Sequence, residues 1–151
     1  MTPTWRFLDT GAADGATNMA LDEAIMRAVA TGRVPPTLRV YAWQPPCLSL
    51  GRFQALESQV DVAACRRQGI DVVRRPSGGG AVLHDLELTY SLTTPEDNPR
   101  VAGSIVESYR QISAGLVQGL ARLGVTAELA GKKQTSEVSQ TSEVFVCFEA
   151  P

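Results

Sequence analysis

The chain of 151 residues is poor in several kinds of residue. It has one histidine, His84, so a metal centre built from several imidazoles is excluded. Its three cysteines, Cys47, Cys65 and Cys147, are odd in number and far apart. That argues against a disulfide framework or a cysteine-rich zinc cluster, and suits a reducing cytoplasm. No apolar run approaches the length that crosses a bilayer, and the opening residues from Met1 to Arg6 lack the apolar segment of a secretion signal, so no membrane partner is expected. A net charge of −2 gives no general attraction to nucleic acid. Neither Gly-x-x-x-x-Gly-Lys-Ser/Thr nor a helix-opening Gly-x-Gly-x-x-Gly occurs, which excludes the common mononucleotide and dinucleotide loops. The rest of the composition is ordinary. Hydrophobic residues make up 44% and charged residues 20%, as in a soluble globular protein, and the length suits one domain with a real core.

Against that background one stretch stands out, Arg74-Arg75-Pro76-Ser77-Gly78-Gly79-Gly80-Ala81-Val82-Leu83-His84-Asp85. Period-two alternation on both sides predicts two strands, Ile70 to Arg75 and Leu86 to Leu92, joined by a glycine-rich connection. Three glycines carry no side-chain bulk, so a ligand can come close to backbone N–H donors. Two arginines at the entrance favour an anionic group. Neighbouring strand residues face opposite ways, so Arg74 and Arg75 cannot both look into one pocket. The plain alternative for a glycine triplet alone is a tight turn with solvated arginines.

The other elements follow from periodicity and punctuation. Trp5 to Leu8 reads as a short strand. Thr17 or Asn18 caps a helix whose stripe is Leu21, Ala24, Ile25, Ala28 and Val29, stopped by Gly32. Asp22 and Glu23 are either an acidic first turn that suits the helix dipole or members of a pocket. Leu38 to Trp43 alternates as a strand, Gln44-Pro45-Pro46 turns it, and Cys47 to Phe53 returns as its partner. Cys47 and Cys65 read as small buried hydrophobes. Asp61 caps a short helix, Val62 to Gln68, closed by Gly69. A long helix carries Ile105, Tyr109, Ile112, Leu116, Leu120 and Leu123 as a core stripe and stops at Gly124. Val125 to Leu129 and Phe145 to Phe148 read as strands. Between them lies a polar loop with a two-copy Thr-Ser-Glu-Val repeat and the only two lysines, Lys132 and Lys133.

The twelve-residue string resembles the signature of the lipoate-protein ligase and octanoyltransferase family, which shares a fold with biotin-protein ligases. Further matches keep the family's order: Asn18-Met19-Ala20-Leu21-Asp22-Glu23, Trp43-Gln44-Pro45-Pro46, Leu50-Gly51-Arg52-Phe53-Gln54 and Cys147-Phe148-Glu149-Ala150-Pro151. The resemblance implies an α/β (α+β) fold, with a mixed, mainly antiparallel sheet flanked by helices, as in the biotin/lipoate-protein ligase catalytic core. Residues 1–151 are expected to form the N-terminal part of such a catalytic domain, incomplete at the C-terminus.

Two activities are compatible with the family. One moves an octanoyl (or lipoyl) group from acyl carrier protein to a lysine of a lipoyl-domain protein, such as the glycine cleavage H protein, and needs no cofactor. The other activates free lipoate with ATP and Mg before transfer. Ligases of the second kind commonly follow the histidine-aspartate step with Leu-Gly-Asn, whereas this chain has Leu86-Glu87-Leu88. Cys147 matches the cysteine that carries the acyl group in one class of octanoyltransferases. The expected activity is therefore transfer through a thioester on Cys147, in the cytoplasm. The alternatives are an ATP-dependent ligase, with a second chain completing it, and a non-catalytic acyl-binding fragment.

The resemblance also implies that Arg75, Ser77, Gly78, Gly79, Gly80 and His84 contact the acyl carbonyl or an adenylate, and that Trp43 lines the acyl pocket. Without the motif, Trp43 would read as core and His84 as a structural hydrogen-bond partner. An active-site lysine is implied beyond the cysteine motif, where this chain has no residue; Lys132 and Lys133 do not match it. The acyl tail calls for an apolar tunnel, where its methylenes, at ~0.8 kcal/mol each, would contribute roughly 5 kcal/mol.

Overall fold

The structure is a computed structural model that describes residues 4–56 and 60–129. Among these, the elements run β1 (Arg6–Ala13), α1 (Gly15–Ala30), β2 (Thr37–Trp43), β3 (Cys47–Leu50), α2 (Val62–Arg67), β4 (Asp71–Arg74), β5 (Val82–His84), β6 (Thr89–Thr93) and α3 (Ile105–Arg122). The described residues fall into two compact units, 4–94 and 95–129. No helix among them is long and apolar enough to cross a membrane.

In the first unit the strands form two three-stranded sheets, ordered β1-β2-β6 and β4-β3-β5. Each is mixed. The central strand β2 is parallel to β1 and antiparallel to β6, and β3 is parallel to β4 and antiparallel to β5. The mixed α/β class expected from the family signature is borne out, with the strands shared between two sheets.

The strand partners differ from the expected hairpins. β3 does not return along β2. Proline supplies no backbone donor, so Pro45 and Pro46 cannot extend a ladder, and the Pro46 carbonyl instead accepts from Asp71 N–H at 2.8 Å, at the start of β4. Likewise β4 and β5 do not pair with each other but flank β3. The expected strand Leu86 to Leu92 is also broken. Leu86 has a φ of 49° and is fully exposed, a conformation that a side chain with a Cβ rarely adopts. The chain therefore leaves one sheet after His84, bends through Asp85 to Leu88, and joins the other at Thr89. Leu86 and Leu88 share no face with Tyr90 and Leu92. The opening strand runs to Ala13 instead of Leu8, with a bulge between Asp9 and Ala12.

Helix α1 begins earlier than expected. Asp14 is its cap and accepts from the Thr17 N–H at 2.8 Å. This bond, with one from the Thr17 hydroxyl, holds the Asp14 carboxyl below its usual range. Asn18 is not free to cap, because its amide donates to the Ala13 and Ala42 carbonyls, each at 3.0 Å. Gly32, at a φ of 68°, ends the helix region as expected. The buried face is Gly15, Asn18, Asp22, Ile25 and Val29. Leu21 and Ala24, expected in the stripe, are exposed. The face turns this way because Asn18 and Asp22 have polar partners on the sheet beneath.

Those partners belong to Arg39, which is 0% exposed. Its guanidinium donates to Asp22 Oδ1 at 2.8 Å, to Asn18 Oδ1 at 2.6 Å and to Thr10 Oγ1 at 2.9 Å. Asp22 also accepts from the Tyr41 hydroxyl at 3.0 Å and the Ser91 hydroxyl at 2.7 Å. Burial, and then the nearby Asp22 charge, push the Tyr41 phenol up. Asp22 thus lies well inside the helix as a buried link to β2 and β6, and the first turn holds no acid. Glu23 is exposed and pairs with Arg27 one turn on. Tyr41, Trp43 and Cys47 form the apolar core, with Met19 and Val73 packed on it. Cys65, expected to be buried like Cys47, is only partly so.

Helix α2 has the expected Asp61 cap, which accepts from Ala64 N–H at 2.8 Å, and closes at Gly69. In the second unit α3 starts in a capping box between Ser104 and Glu107 and ends before Gly124, at a φ of 79°. The Ser104 bonds hold the Glu107 carboxyl below its usual range. The stripe expected as core is largely open: Ile105 and Leu123 are 80% and 79% exposed, and Tyr109 and Leu120 are exposed too. Among the described residues of this unit α3 is the only helix or strand, and one helix has no second layer against which to bury a face. Val125 to Leu129 is not a strand. The expected loop with its repeat, the strand Phe145 to Phe148, and Cys147 lie outside the described residues.

Candidate functional site

The two sheets meet where β2 ends and β5 ends. Trp43 closes β2 and His84 closes β5. Their rings stack with centroids 4.3 Å apart and planes 15° from parallel. The Trp43 indole N–H donates to Thr89 Oγ1 at 2.7 Å, at the start of β6. Trp43 is therefore a core residue whose ring also stacks on His84.

His84 is buried and both ring nitrogens are engaged. Nε2 lies 2.7 Å from Ser49 Oγ, and Nδ1 lies 2.6 Å from Glu87 Oε1. Thr89 Oγ1 donates to the same Glu87 oxygen at 2.6 Å. Ser49 is 0% exposed and sits on β3, facing β5 across the antiparallel pairing. The structural role for His84 is thus directly visible.

Arg75 organises the glycine loop. Its Nη1 donates to the Ser49 carbonyl at 2.9 Å and the Ser49 hydroxyl at 3.1 Å. Its Nη2 donates to the Gly78 carbonyl at 2.8 Å and the Gly80 carbonyl at 2.6 Å. One planar guanidinium therefore ties β3 to both ends of the triplet. Arg74 faces elsewhere, as alternation requires, and donates to the Gly51 carbonyl at 2.7 Å. Ser77 is exposed, and its carbonyl accepts from Arg52 N–H at 2.9 Å. Gly79 has a φ of 92°, so glycine is the residue that fits there. Gly78 is exposed with open space where a Cβ would stand. Among the described residues, no group accepts from the N–H of Gly78, Gly79 or Gly80.

The structure thus brings Trp43, Arg75, Gly78, Gly80 and His84 into one connected network, with Ser77 and Gly79 on the same loop. Two members, Ser49 and Glu87, were not expected. Ser49 gave no signal, being a lone hydroxyl in an apolar strand. Glu87 gave one: it stands where ligases of the adenylate-forming kind commonly have glycine, three residues after the only histidine. Near this network Cys47 is 0% exposed, and burial, then the Asp71 and Asp14 carboxylates, push its thiol up to about 12. A thiol held in that form is a poor nucleophile. Among the described residues no cluster of three or more His, Cys, Asp or Glu could hold a metal ion.

The comparison with known proteins is consistent across sequence and structure. Residues 14–144 match the lipoyl protein ligase A/B catalytic domain. The chain is 47% identical over 148 residues to the octanoyltransferase LipM of Carboxydothermus hydrogenoformans, covering 98% of this chain and 53% of that protein. It is similar to a candidate lipoate protein ligase from T. acidophilum solved with bound lipoic acid: TM-score 0.71, 30% identity, 92% of this chain and 55% of that one. It is also similar to a chain from a structural study of a bi-partite lipoate protein ligase and its E2 lipoyl domain from Thermoplasma acidophilum, with TM-score 0.69, 32% identity, and coverage of 85% and 49%. The chain spans about half the length of the curated relatives it matches.

Proposed function

The chain belongs to the lipoyl protein ligase A/B catalytic domain family, and from that premise we propose that it carries the N-terminal part of an octanoyl (or lipoyl) transferase acting on lipoyl-domain proteins. The observation that carries this reading is the pinned glycine loop. Arg75 holds the Gly78 and Gly80 carbonyls, which turns the loop's own acceptors inward and leaves its N–H groups as donors for an acyl carbonyl oxygen. Such preorganised donors stabilise the oxyanion that forms when a thioester is attacked. Further support comes from the relative named octanoyltransferase, which matches nearly the whole chain.

In the proposed reaction the Cys147 sulfur attacks the thioester carbonyl of octanoyl-acyl carrier protein, and the carrier thiol leaves. The lysine amine of a lipoyl-domain protein then attacks the new thioester, and the Cys147 sulfur leaves as the amide forms. The first step exchanges one thioester for another, so it needs no ATP. A free thiol with a pKa of ~8.5 is only a few per cent thiolate at pH 7, so Cys147 needs a neighbouring base or positive charge. Trp43, Arg75, Ser77, Gly78, Gly79, Gly80 and His84 bind and orient the acyl group in this scheme.

A second reading is supported by the likeness to the bi-partite ligase system. In it the chain is one part of an ATP-dependent lipoate ligase whose other part is a separate polypeptide.

One experiment addresses both. The chain, supplied with the C-terminal half of a matched octanoyltransferase, is incubated with octanoyl-acyl carrier protein and weighed intact. An octanoyl adduct that is absent in Cys147→Ala is the expected result. No adduct on the wild type, or an unchanged adduct in Cys147→Ala, refutes transfer through this cysteine. Pyrophosphate release with lipoate and ATP supports the ligase instead.

A further inference from the structure

We propose that Glu87 is the positioning residue of the site: its carboxylate fixes the proton of the His84 ring on Nδ1 and thereby sets the direction of the hydrogen bond between His84 Nε2 and Ser49, the link through which the ring reaches Arg75 and the glycine loop. The use of this chain in acyl transfer rests on the proposed function above; the tautomer itself does not.

The direction follows from what each group can donate. A carboxylate only accepts, so the 2.6 Å contact between Glu87 Oε1 and Nδ1 requires a proton on Nδ1. In the neutral ring Nε2 must then accept, and its partner at 2.7 Å is the Ser49 hydroxyl, which has one proton to give. The same hydroxyl oxygen accepts from Arg75 Nη1 at 3.1 Å, and a guanidinium can only donate. Arg75 passes its other three Nη protons to the carbonyls of Ser49, Gly78 and Gly80. Every link is satisfied once, with a negative group at one end and a positive one at the other.

The other two states of the ring break the chain. A proton on Nε2 alone would set the Nδ1 lone pair against the carboxylate. A doubly protonated ring would leave Ser49 accepting from both His84 and Arg75. Its own proton would then have no acceptor among the described residues, at a position that is 0% exposed.

Glu87 is held for this task from two sides. The Thr89 hydroxyl donates to the oxygen that faces His84, and the Trp43 indole N–H donates to Thr89. Just before Glu87, Leu86 takes up a φ of 49° while its side chain lies wholly in solvent. No packing of Leu86 explains that bend. What the bend accomplishes is to bring Glu87 back to the ring three residues earlier. A backbone outlier whose own side chain gains nothing is a mark of a functional constraint. The consequence for the site is that Nε2 is occupied by Ser49, so His84 transmits orientation to Arg75 and the loop and is not the base that takes a proton from a substrate.

The test uses the fact that His84 is the only histidine. In the chain labelled with 15N-histidine, two-bond nitrogen–proton correlations at neutral pH report one ring without overlap. The neutral Nδ1–H form is expected in the wild type and in Glu87→Gln, whose amide oxygen still accepts from Nδ1. In Glu87→Ala only the Ser49–Arg75 bond still favours Nδ1–H, and the Nε2–H form, which free neutral imidazole side chains prefer, is expected to gain population at the expense of Nδ1–H. An Nε2–H or doubly protonated ring in the wild type, or an unchanged Nδ1–H ring in Glu87→Ala, overturns the proposal. Should Glu87→Ala fail to fold, the wild type and Glu87→Gln still decide it. With the C-terminal half supplied and octanoyl-carrier protein as donor, Glu87→Ala is expected to lose kcat by more than tenfold, with KM for the donor little changed and kcat largely restored in Glu87→Gln. A wild type with the expected tautomer but no acyl transfer would refute the function and leave the positioning role standing. The expected tautomers with unchanged kcat in Glu87→Ala would refute the role in catalysis.

Discussion

Gly51 and Gly79 touch backbone to backbone: a Cβ built on Gly51 would stand 2.0 Å from the Gly79 carbonyl oxygen. No side chain fits between them. The contact seats the glycine loop against the end of β3, one residue from the carbonyl that closes that strand.

Replacing Gly51 by alanine should therefore push the loop away, because the obstructing atom is main chain and cannot rotate aside. Overpacking of this kind typically costs about 1–3 kcal/mol. Gly78→Ala is the control, since nothing lies within 4 Å of its Cβ position, and a loss below about 0.5 kcal/mol is expected there. Urea denaturation of the two variants beside the wild type measures the difference. Equal losses would show that the close approach does not matter.

Cys47 supplies a prediction about alkaline pH. Its thiol is pushed up to about 12 in the folded protein, first by burial and then by the Asp71 and Asp14 carboxylates, from an ordinary value of 9.0. A group raised in this way adds stability that is complete below its unfolded value. That stability is lost as pH rises through the folded value, because the unfolded chain gives up the proton first. Stability should thus fall between pH 9 and about 12 more steeply in the wild type than in Cys47→Ala. Unfolding free energies measured at steps across that window decide it, and identical slopes would remove Cys47 from the account. In the native protein at neutral pH, Cys65 should react with iodoacetamide well before Cys47.

Much of this architecture could be read before any coordinates. Asp61 and Gly69 bracketed α2 correctly, Gly124 marked the end of α3, and the arginine–glycine string located the centre of the site. What could not be read was long-range pairing. Alternation identifies Leu38 to Trp43 as a strand, but it carries no information about which strand lies beside it, and nearness in the chain points to the wrong partners. Alternation also could not say which face is inside. On β2 the buried face is Thr37, Arg39, Tyr41 and Trp43, and a charged residue among them runs against the usual preference. Only the arrival of Asn18 and Asp22 from α1 makes that face the better one to bury. Ser49 was illegible for the same reason: a hydroxyl in an apolar strand acquires meaning only when His84 and Arg75 are brought to it. Cys147, the residue on which the transfer chemistry depends, lies outside the described residues, and its role is tested by the adduct experiment alone.

The Asp22–Arg39 pair carries the last prediction. The two are 2.8 Å apart, and the arginine side chain is wholly buried. Arg39 also lies over the Tyr41 ring, with its guanidinium carbon 3.9 Å from the centroid. Three elements converge here, since Asp22 is on α1, Arg39 and Tyr41 on β2, and Ser91 on β6. Removing Arg39 alone, as in Arg39→Met, leaves the carboxylate buried without its counter-charge. Breaking one partner of such a pair costs about 3–5 kcal/mol. Removing both charges together, as in Asp22→Leu with Arg39→Met, takes away that unpaired charge, so the double variant should be more stable than the sum of the two single losses by at least about 1 kcal/mol. It should still not reach the wild type, because Asn18, Tyr41, Ser91 and Thr10 each lose a partner. A double-mutant cycle by chemical denaturation gives the coupling directly. Strict additivity would mean that the two side chains, although in contact, stabilise the fold independently.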